Sequence, residues 1–420
     1  MHIILVEPFA HRAGHYGDLS CRLACGLSKS SVSVTVVTFR GFLAGCVSES
    51  DKAKFKHIDF ISNSSLIQVL TVKALISFLQ FISNSVQPIS KTLIIVRIIH
   101  IVETFFTLKF AERLYKDENS SLIFCYDGEL IGFLAYALCC SHKKLVYKIM
   151  DYSRTLPEKS PKRKIKRYIE NQLCRKALEK NKLVFICNTL QLLQGYMKTG
   201  FPGECIYTAP IGILGRREKL EKSKARSFLK LPADDVLLLV FGVGHGGKNF
   251  DTILKANQGG NSECRIIFAG KILPSCINHP RQLAKKYNCE KNVIILDEFI
   301  PSHKVPYYFS AADGLILSYN KDFVVDSGVL LQGVGFDLPV IASNSGWIGQ
   351  IVRENELGIT FTPENSSSLR LAMTEFLELG ESSRSRMVKN VAKCAESLSR
   401  SNVVEEYINL FKKTIGTSTL

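Results

Sequence analysis

The feature that most constrains this chain is a series of short, unbroken apolar runs. HIILVEPF (2–9), VSVTVVTF (32–39), SLIFCYDG (121–128), KLVYKIMD (144–151) and KLVFICNT (182–189) form a first set. VLLLVFGV (236–243), CRIIFAGK (264–271), NVIILDEF (292–299), DGLILSYN (313–320) and LPVIASNS (338–345) form a second. A strand with one wet face alternates, whereas a strand apolar at nearly every position is buried on both faces. Such runs, separated by helical stretches, predict parallel sheets covered by helices on either side. The alternation pauses at Gly200-Phe201-Pro202-Gly203 and resumes after Tyr207-Thr208-Ala209-Pro210. The expectation is α/β with two doubly wound, Rossmann-like domains, 1–208 and 226–402, joined by a polar connection at 209–225. The stretch 52–118 reads as mostly helical, and the amphipathic Val403–Ile415 pattern is expected to carry 403–420 back onto the first domain.

Length agrees with this division, since 420 residues suit two cores better than one. The thirteen cysteines are scattered without a CxxC pair. That pattern fits free thiols in a reducing cytoplasm and excludes a disulfide frame or structural zinc. The chain starts at once on a strand-like run, so no signal peptide is expected. The longest apolar stretch, LIIVRIIHIVETFF (93–106), is broken by Arg97, His100 and Glu103, and reads as a buried or interface helix instead of a membrane span. Net charge is +16, and between Asp151 and Lys182 eleven Lys/Arg stand against four acids. A basic helix of this kind suits anionic lipid or phosphorylated ligands, its plainer alternative being a solvated face. With no RNA-binding aromatic signature or helix-turn-helix spacing nearby, nucleic acid is set aside. Peripheral docking on an anionic membrane through 159–182 is the expectation.

Gly242-x-Gly244-x-x-Gly247 follows a strand run and has the spelling of a dinucleotide fingerprint. A nicotinamide dinucleotide site also needs an acid at the end of the next strand. Here that strand ends in Gly270-Lys271, and Glu263 precedes it. The loop is therefore read as serving another diphosphate, with Gly246 and Gly247 a flexible pair and Lys248 a point charge for phosphate. His245 is a further donor candidate. Asp326-Ser327-Gly328-Val329-Leu330 reads as a helix start, where the Ser327 hydroxyl and the Gly328 and Val329 amides would meet phosphate and Asp326 a sugar hydroxyl. Gly14 and His15 follow the first strand; Tyr126, Asp127 and Asp151 lie at the ends of others, where side chains point into a ligand crevice. No Gly-x-Ser-x-Gly elbow and no Gly-x4-Gly-Lys-Ser/Thr loop occurs, which excludes the hydrolases and NTPases built on them.

The order of these segments is similar to a known family. GVGHGGKNFDTIL, IIFAGKI, NVIILDEFIPSHKVPYYFSAADGLILSY and SGVLLQGVGFDLPVIASNSGWIGQIVRENELGITF resemble the nucleotide-binding half of two-domain GT-B glycosyltransferases, particularly the retaining family 4. HRAGHYGDLSCRLACGL and CNTLQLLQGYMKTGFPGECIYTAPIGI resemble parts of the first domain, which in this fold faces the second across a cleft. The resemblance implies transfer of a sugar from a nucleotide-diphosphate donor to a glycan or lipid-linked acceptor, with retention, no metal and no cofactor, as in cell-surface polysaccharide synthesis. It casts His15, Asp127 and Lys248 as catalytic and places Gly14, Gly246, Gly247, Lys248, Ser327, Gly328 and Val329 on donor phosphate. Gln332 and Asp326 fall on ribose or sugar, and Tyr126 and Asp151 on the acceptor. Two departures stand out. Val243 occupies the family's arginine position, and Val324 and Gln332 replace its pair of glutamates, which have seven residues between them; the Gln332 amide still suits a ribose hydroxyl. An inactive nucleotide-sugar binder or partner subunit, and a nucleotide-sugar epimerase, are the competing expectations.

Overall fold

A computed structural model of the chain describes residues 1–10, 16–30, 32–40, 53–64, 72–77, 89–115, 121–126, 128–149, 161–209, 217–259, 264–273, 276, 278–323, 326–398 and 400–416. Two compact units emerge, Met1–Ile213 with Val403–Leu420, and Leu214–Asn402. Each is built on one parallel sheet. In the first the strand order is β3-β2-β1-β4-β5-β6-β7, with β1 at His2–Glu7, β2 at Ser33–Thr38, β3 at Lys56–Asp59, β4 at Ser121–Cys125, β5 at Lys144–Ile149, β6 at Lys182–Cys187 and β7 at Ile206–Thr208. In the second it is β10-β9-β8-β11-β12-β13, with β8 at Val236–Phe241, β9 at Cys264–Ala269, β10 at Val293–Leu296, β11 at Gly314–Leu317, β12 at Val340–Ser343 and β13 at Gly358–Phe361. The ten apolar runs are all strands, trimmed at their polar carboxyl ends. The short strands β3, β7 and β13 escape a reading based on apolar runs, and β3 interrupts the stretch expected to be helical.

Burial explains why the runs are unbroken. Along β8, Leu237, Leu239 and Phe241 enter one core while Leu238 and Val240 enter another on the opposite face. In the first unit Ile4, Val6, Ile123, Cys125, Leu145 and Tyr147 share one core, and the helix Arg400–Ile415 lies over the other face. There Phe124 meets Tyr407 and Phe411 at ring-centroid distances of 5.9 and 5.2 Å. This return of the C-terminal helix to the first unit follows from its own apolar stripe, in which Val403, Val404, Tyr407 and Phe411 are all buried.

Beneath that helix, Lys148 is fully buried and its Nζ donates to the hydroxyls of Tyr126 (3.2 Å) and Tyr407 (3.0 Å). Of the acceptor candidates, Tyr126 therefore points into the protein, its hydroxyl already engaged. Gly14, His15, Asp127 and Asp151 lie outside the described residues, as does Val324. The basic helix spans Pro161–Lys180 and exposes Ile165 (61%), Tyr168 (66%) and Ile169 (44%). It is not basic on every side: Arg167 is buried, and Lys166 turns to Glu170 at 3.2 Å. No described helix is long and apolar enough to cross a membrane.

Candidate functional site

In both sheets the strand order reverses between two neighbours, β1 and β4 in the first, β8 and β11 in the second. At such a point the chain leaves the two strands toward opposite faces, opening a crevice at their carboxyl ends. In the second unit the loop after β8 carries Gly242 to Lys248, and the loop after β11 carries Ser318 to Ser327. Segments roughly eighty residues apart in the chain thus become neighbours.

The glycines each have a distinct reason. Gly242 takes φ +85°, and a Cβ there would lie 3.2 Å from Val329 Cγ2 and 3.5 Å from Lys248 Nζ. Strand end, lysine and helix start therefore converge on a position that only glycine leaves open. A Cβ at Gly244 would strike Ile272 at 2.8 Å and Phe250 at 3.0 Å. The glycine pair is held, contrary to its reading as flexible: Asn320 donates through Nδ2 to Gly246 O (2.9 Å) and through its backbone N–H to Gly247 O (3.1 Å). Gly247 N–H donates to His245 Nδ1 at 3.0 Å.

Lys248 does not open the helix. Asn249 caps the helix Phe250–Ala256 by accepting from Thr252 N–H, and Lys248 lies before it in an antiparallel bridge to Tyr319. Its side chain turns inward and donates to Phe241 O at 2.5 Å. Burial strips water from the ammonium and pulls its pKa down from 10.5 to about 7. The lysine also lines a pocket of about 190 Å³ with Gly246, Asn249, Asp251, Cys276 and Asn278.

The second half of the site is the helix Gly328–Gly335. Ser327 caps it in extended conformation, its Oγ accepting from Leu330 N–H at 3.3 Å. The first amides of a helix have no intrahelical acceptor, so Gly328 and Val329 present N–H groups beside Gly242 and Lys248. Asp326 is half-buried, and its charge helps to keep the Tyr319 hydroxyl protonated. Gln332, further along the same helix, holds a buried Oε1 that no described group donates to. Lys248, Gly246, Gly247, Ser327, Gly328 and Val329 thus belong to one locality.

Tyr319, Asn320 and Phe323 were not singled out from the sequence. The Tyr319 hydroxyl lies 2.9 Å from Ser327 Oγ, and its ring stacks on Phe323 at 4.1 Å. The available signal was a Tyr-Asn pair directly after an apolar strand. Asp297, at the end of β10, was missed as well. It accepts from Ile272 N–H at 2.9 Å and pairs with Lys271 and His279 at 3.1 and 3.2 Å. These donors, the Ile272 amide first, hold its carboxyl at about 2.

Residues 221–393 match the model of a family described as glycosyl transferases group 1. The matched stretch lies within the second unit. The whole chain has the GT-B fold. HepE from Anabaena, solved in complex with UDP, superposes with a TM-score of 0.68 at 14% identity, covering 98% of this chain and 100% of that one. A glycosyltransferase from Rickettsia africae gives 0.69 at 12% identity over 100% and 99% of the two chains. Sucrose-phosphate synthase from Thermosynechococcus elongatus gives 0.69 at 14% identity over the full length of both. At such identities the likeness speaks for the fold alone. No curated protein sequence matches. Within the residues that match the family model lie the glycine loop, Lys248 and the Ser327 cap.

Proposed function

We propose that this protein is a glycosyltransferase that takes a sugar from a nucleotide-diphosphate donor bound in the second unit. The observation that carries the reading is the convergence of Lys248 Nζ and the start of the Gly328–Gly335 helix on Gly242. A leaving diphosphate gains negative charge as the glycosidic bond breaks. An ammonium and oriented amide hydrogens are the groups that stabilise it without a metal. HepE holds UDP in its crystal, and a nucleotide of this kind is the proposed occupant here. Gln332 is assigned to the ribose, and Asp326 to a sugar hydroxyl. Gly14, His15, Asp127 and Asp151 remain the candidates for acceptor and base, with a glycan or lipid-linked alcohol as acceptor, retention of configuration, and a role in cell-surface polysaccharide synthesis.

The proposed location is the cytoplasm, at the inner face of the membrane. Exposed Ile165, Tyr168 and Ile169 on the basic Pro161–Lys180 helix support it, because apolar side chains among lysines favour an anionic interface. Equal binding to anionic and neutral vesicles, at low and high salt alike, would count against this.

The deciding experiment is a donor screen by mass spectrometry, with wild type beside Lys248→Ala. Turnover of one donor by the wild type and its loss in the variant is expected; equal turnover by both overturns the assignment. A second reading, a binder without turnover, draws on Gln332 and Val324 where the family has glutamates. Calorimetric binding of a nucleoside diphosphate with no hydrolysis or transfer would favour it.

A further inference from the structure

Tyr319 and Ser327 together carry one hydroxyl hydrogen more than the described protein accepts. Both side chains are buried, at 3% and 4% exposure, and their oxygens lie 2.9 Å apart. Each hydroxyl has one hydrogen and two lone pairs. Ser327 Oγ already accepts from Leu330 N–H. If the tyrosine donates to the serine, both serine lone pairs are occupied, and the Ser327 hydrogen can only be given away. If the serine donates instead, the tyrosine hydrogen has no described acceptor. Either way a buried donor is left over, an arrangement that proteins avoid unless a ligand completes it.

The position of the tyrosine is fixed from three sides. Its backbone N–H donates to Ser343 Oγ at 2.9 Å, and Ser343 Oγ donates to Leu317 O at 3.1 Å. Its backbone bridges to Lys248, and its ring lies on Phe323 with an interplanar angle of 17°. The hydroxyl stays protonated, because burial pushes it up to about 12.

We propose that Tyr319 is a positioning residue that makes Ser327 an obligate hydrogen-bond donor to the terminal phosphate of a bound nucleoside diphosphate. The inference rests on the diphosphate reading of this site. Tyr319 itself does not touch the ligand. It acts by filling the second serine lone pair, so that the remaining hydrogen is turned toward the place where the Gly328 and Val329 amides also point.

The test is calorimetric titration of the full chain with UDP, GDP and ADP, followed by the matching monophosphate of whichever binds. Tyr319→Phe keeps the ring stack and removes one oxygen. It should weaken the diphosphate about tenfold and leave the monophosphate within about twofold. Ser327→Ala should do the same, Ser327→Thr should retain wild-type binding, and Tyr319→Phe with Ser327→Ala should be no weaker than Ser327→Ala alone. Wild-type diphosphate binding by Tyr319→Phe, while Ser327→Ala and Lys248→Ala are impaired, overturns the inference and leaves the diphosphate reading standing. Equal losses for diphosphate and monophosphate, with a lowered unfolding midpoint, show a merely structural role and also overturn it. If Tyr319→Phe does not fold, the serine pair decides, since Ser327→Thr binding as weakly as Ser327→Ala removes the hydroxyl from the account. No binding of any diphosphate by the wild type, or wild-type binding by both Ser327→Ala and Lys248→Ala, brings down the parent reading and the inference with it.

Discussion

Replacing Lys248 by methionine should stabilise the protein and at the same time disable it. The ammonium is buried against a carbonyl, and its pKa falls from 10.5 to about 7. Each pH unit of displacement corresponds to about 1.4 kcal/mol, so keeping the ionised form inside costs the fold roughly 5 kcal/mol. The sign follows from proton counting. Between about pH 7 and 10.5 the unfolded chain carries a proton on this lysine that the folded chain has lost, so wild-type stability rises with pH across that window. Below pH 7 both states are protonated and the cost is present in full. Lys248→Met lacks this slope, and its advantage should shrink by about 3 kcal/mol from pH 7 to 9.5. Among the described residues its titratable neighbours include the Cys276 thiol, which burial raises, Tyr319 at about 12, and Asp251 in the shared pocket. Trp347 is the sole tryptophan and packs against the second unit's core, so its fluorescence in urea reports the relevant transition. Parallel stability curves for the two proteins between pH 6.5 and 9.5, within about 1 kcal/mol, would refute the buried-ammonium account. The same proton is predicted to matter for binding. A diphosphate should restore the charge, taking up close to one proton at pH 8, seen as a heat that changes with buffer ionisation enthalpy. Affinity should fall about tenfold per pH unit above the lysine pKa.

Gln332→Leu should lower nucleoside diphosphate affinity about tenfold with no loss of stability, since the buried Oε1 gives up no protein partner; titration calorimetry and urea unfolding check the two halves. Gly270→Ala should cost more than about 3 kcal/mol, because at φ +148° its Cβ would lie 2.3 Å from Gly242 O; the Trp347 transition should show it. Tyr407→Ala removes a fully buried ring that packs on Phe124 and holds Lys148. It should cost about 3–5 kcal/mol in the first unit, read by calorimetry, with the Trp347 transition unmoved.

What was legible in the sequence is what short-range chemistry dictates. A strand buried on both faces must be apolar throughout, so runs such as IIFAG (266–270) declare themselves, and a serine before Gly-Val-Leu-Leu declares a helix cap. Lys248 was legible as a phosphate candidate because glycines precede it. Its burial was not, because that depends on Phe241 O and Tyr319, one seven residues back and the other beyond three further strands. Lys148 was equally opaque. Within KLVYKI it looks like an interruption of a strand, and only pairing with Tyr126 and Tyr407 from distant segments makes room for it.

Tyr319 shows most clearly where local reading stops. Its letter is ordinary for the end of an apolar strand, and its value comes from strand order. Because β8 and β11 are adjacent, the residue after β11 can bridge to the loop after β8 and still reach the cap of the following helix. A sheet ordered by chain sequence would place both β9 and β10 between them and move Lys248 away from Ser327 by about two further strand spacings of ~4.8 Å. The site is therefore a property of topology expressed through a few polar side chains. Substitutions that preserve Lys248 and Ser327 but disturb Tyr319 test that claim more sharply than removal of either phosphate contact.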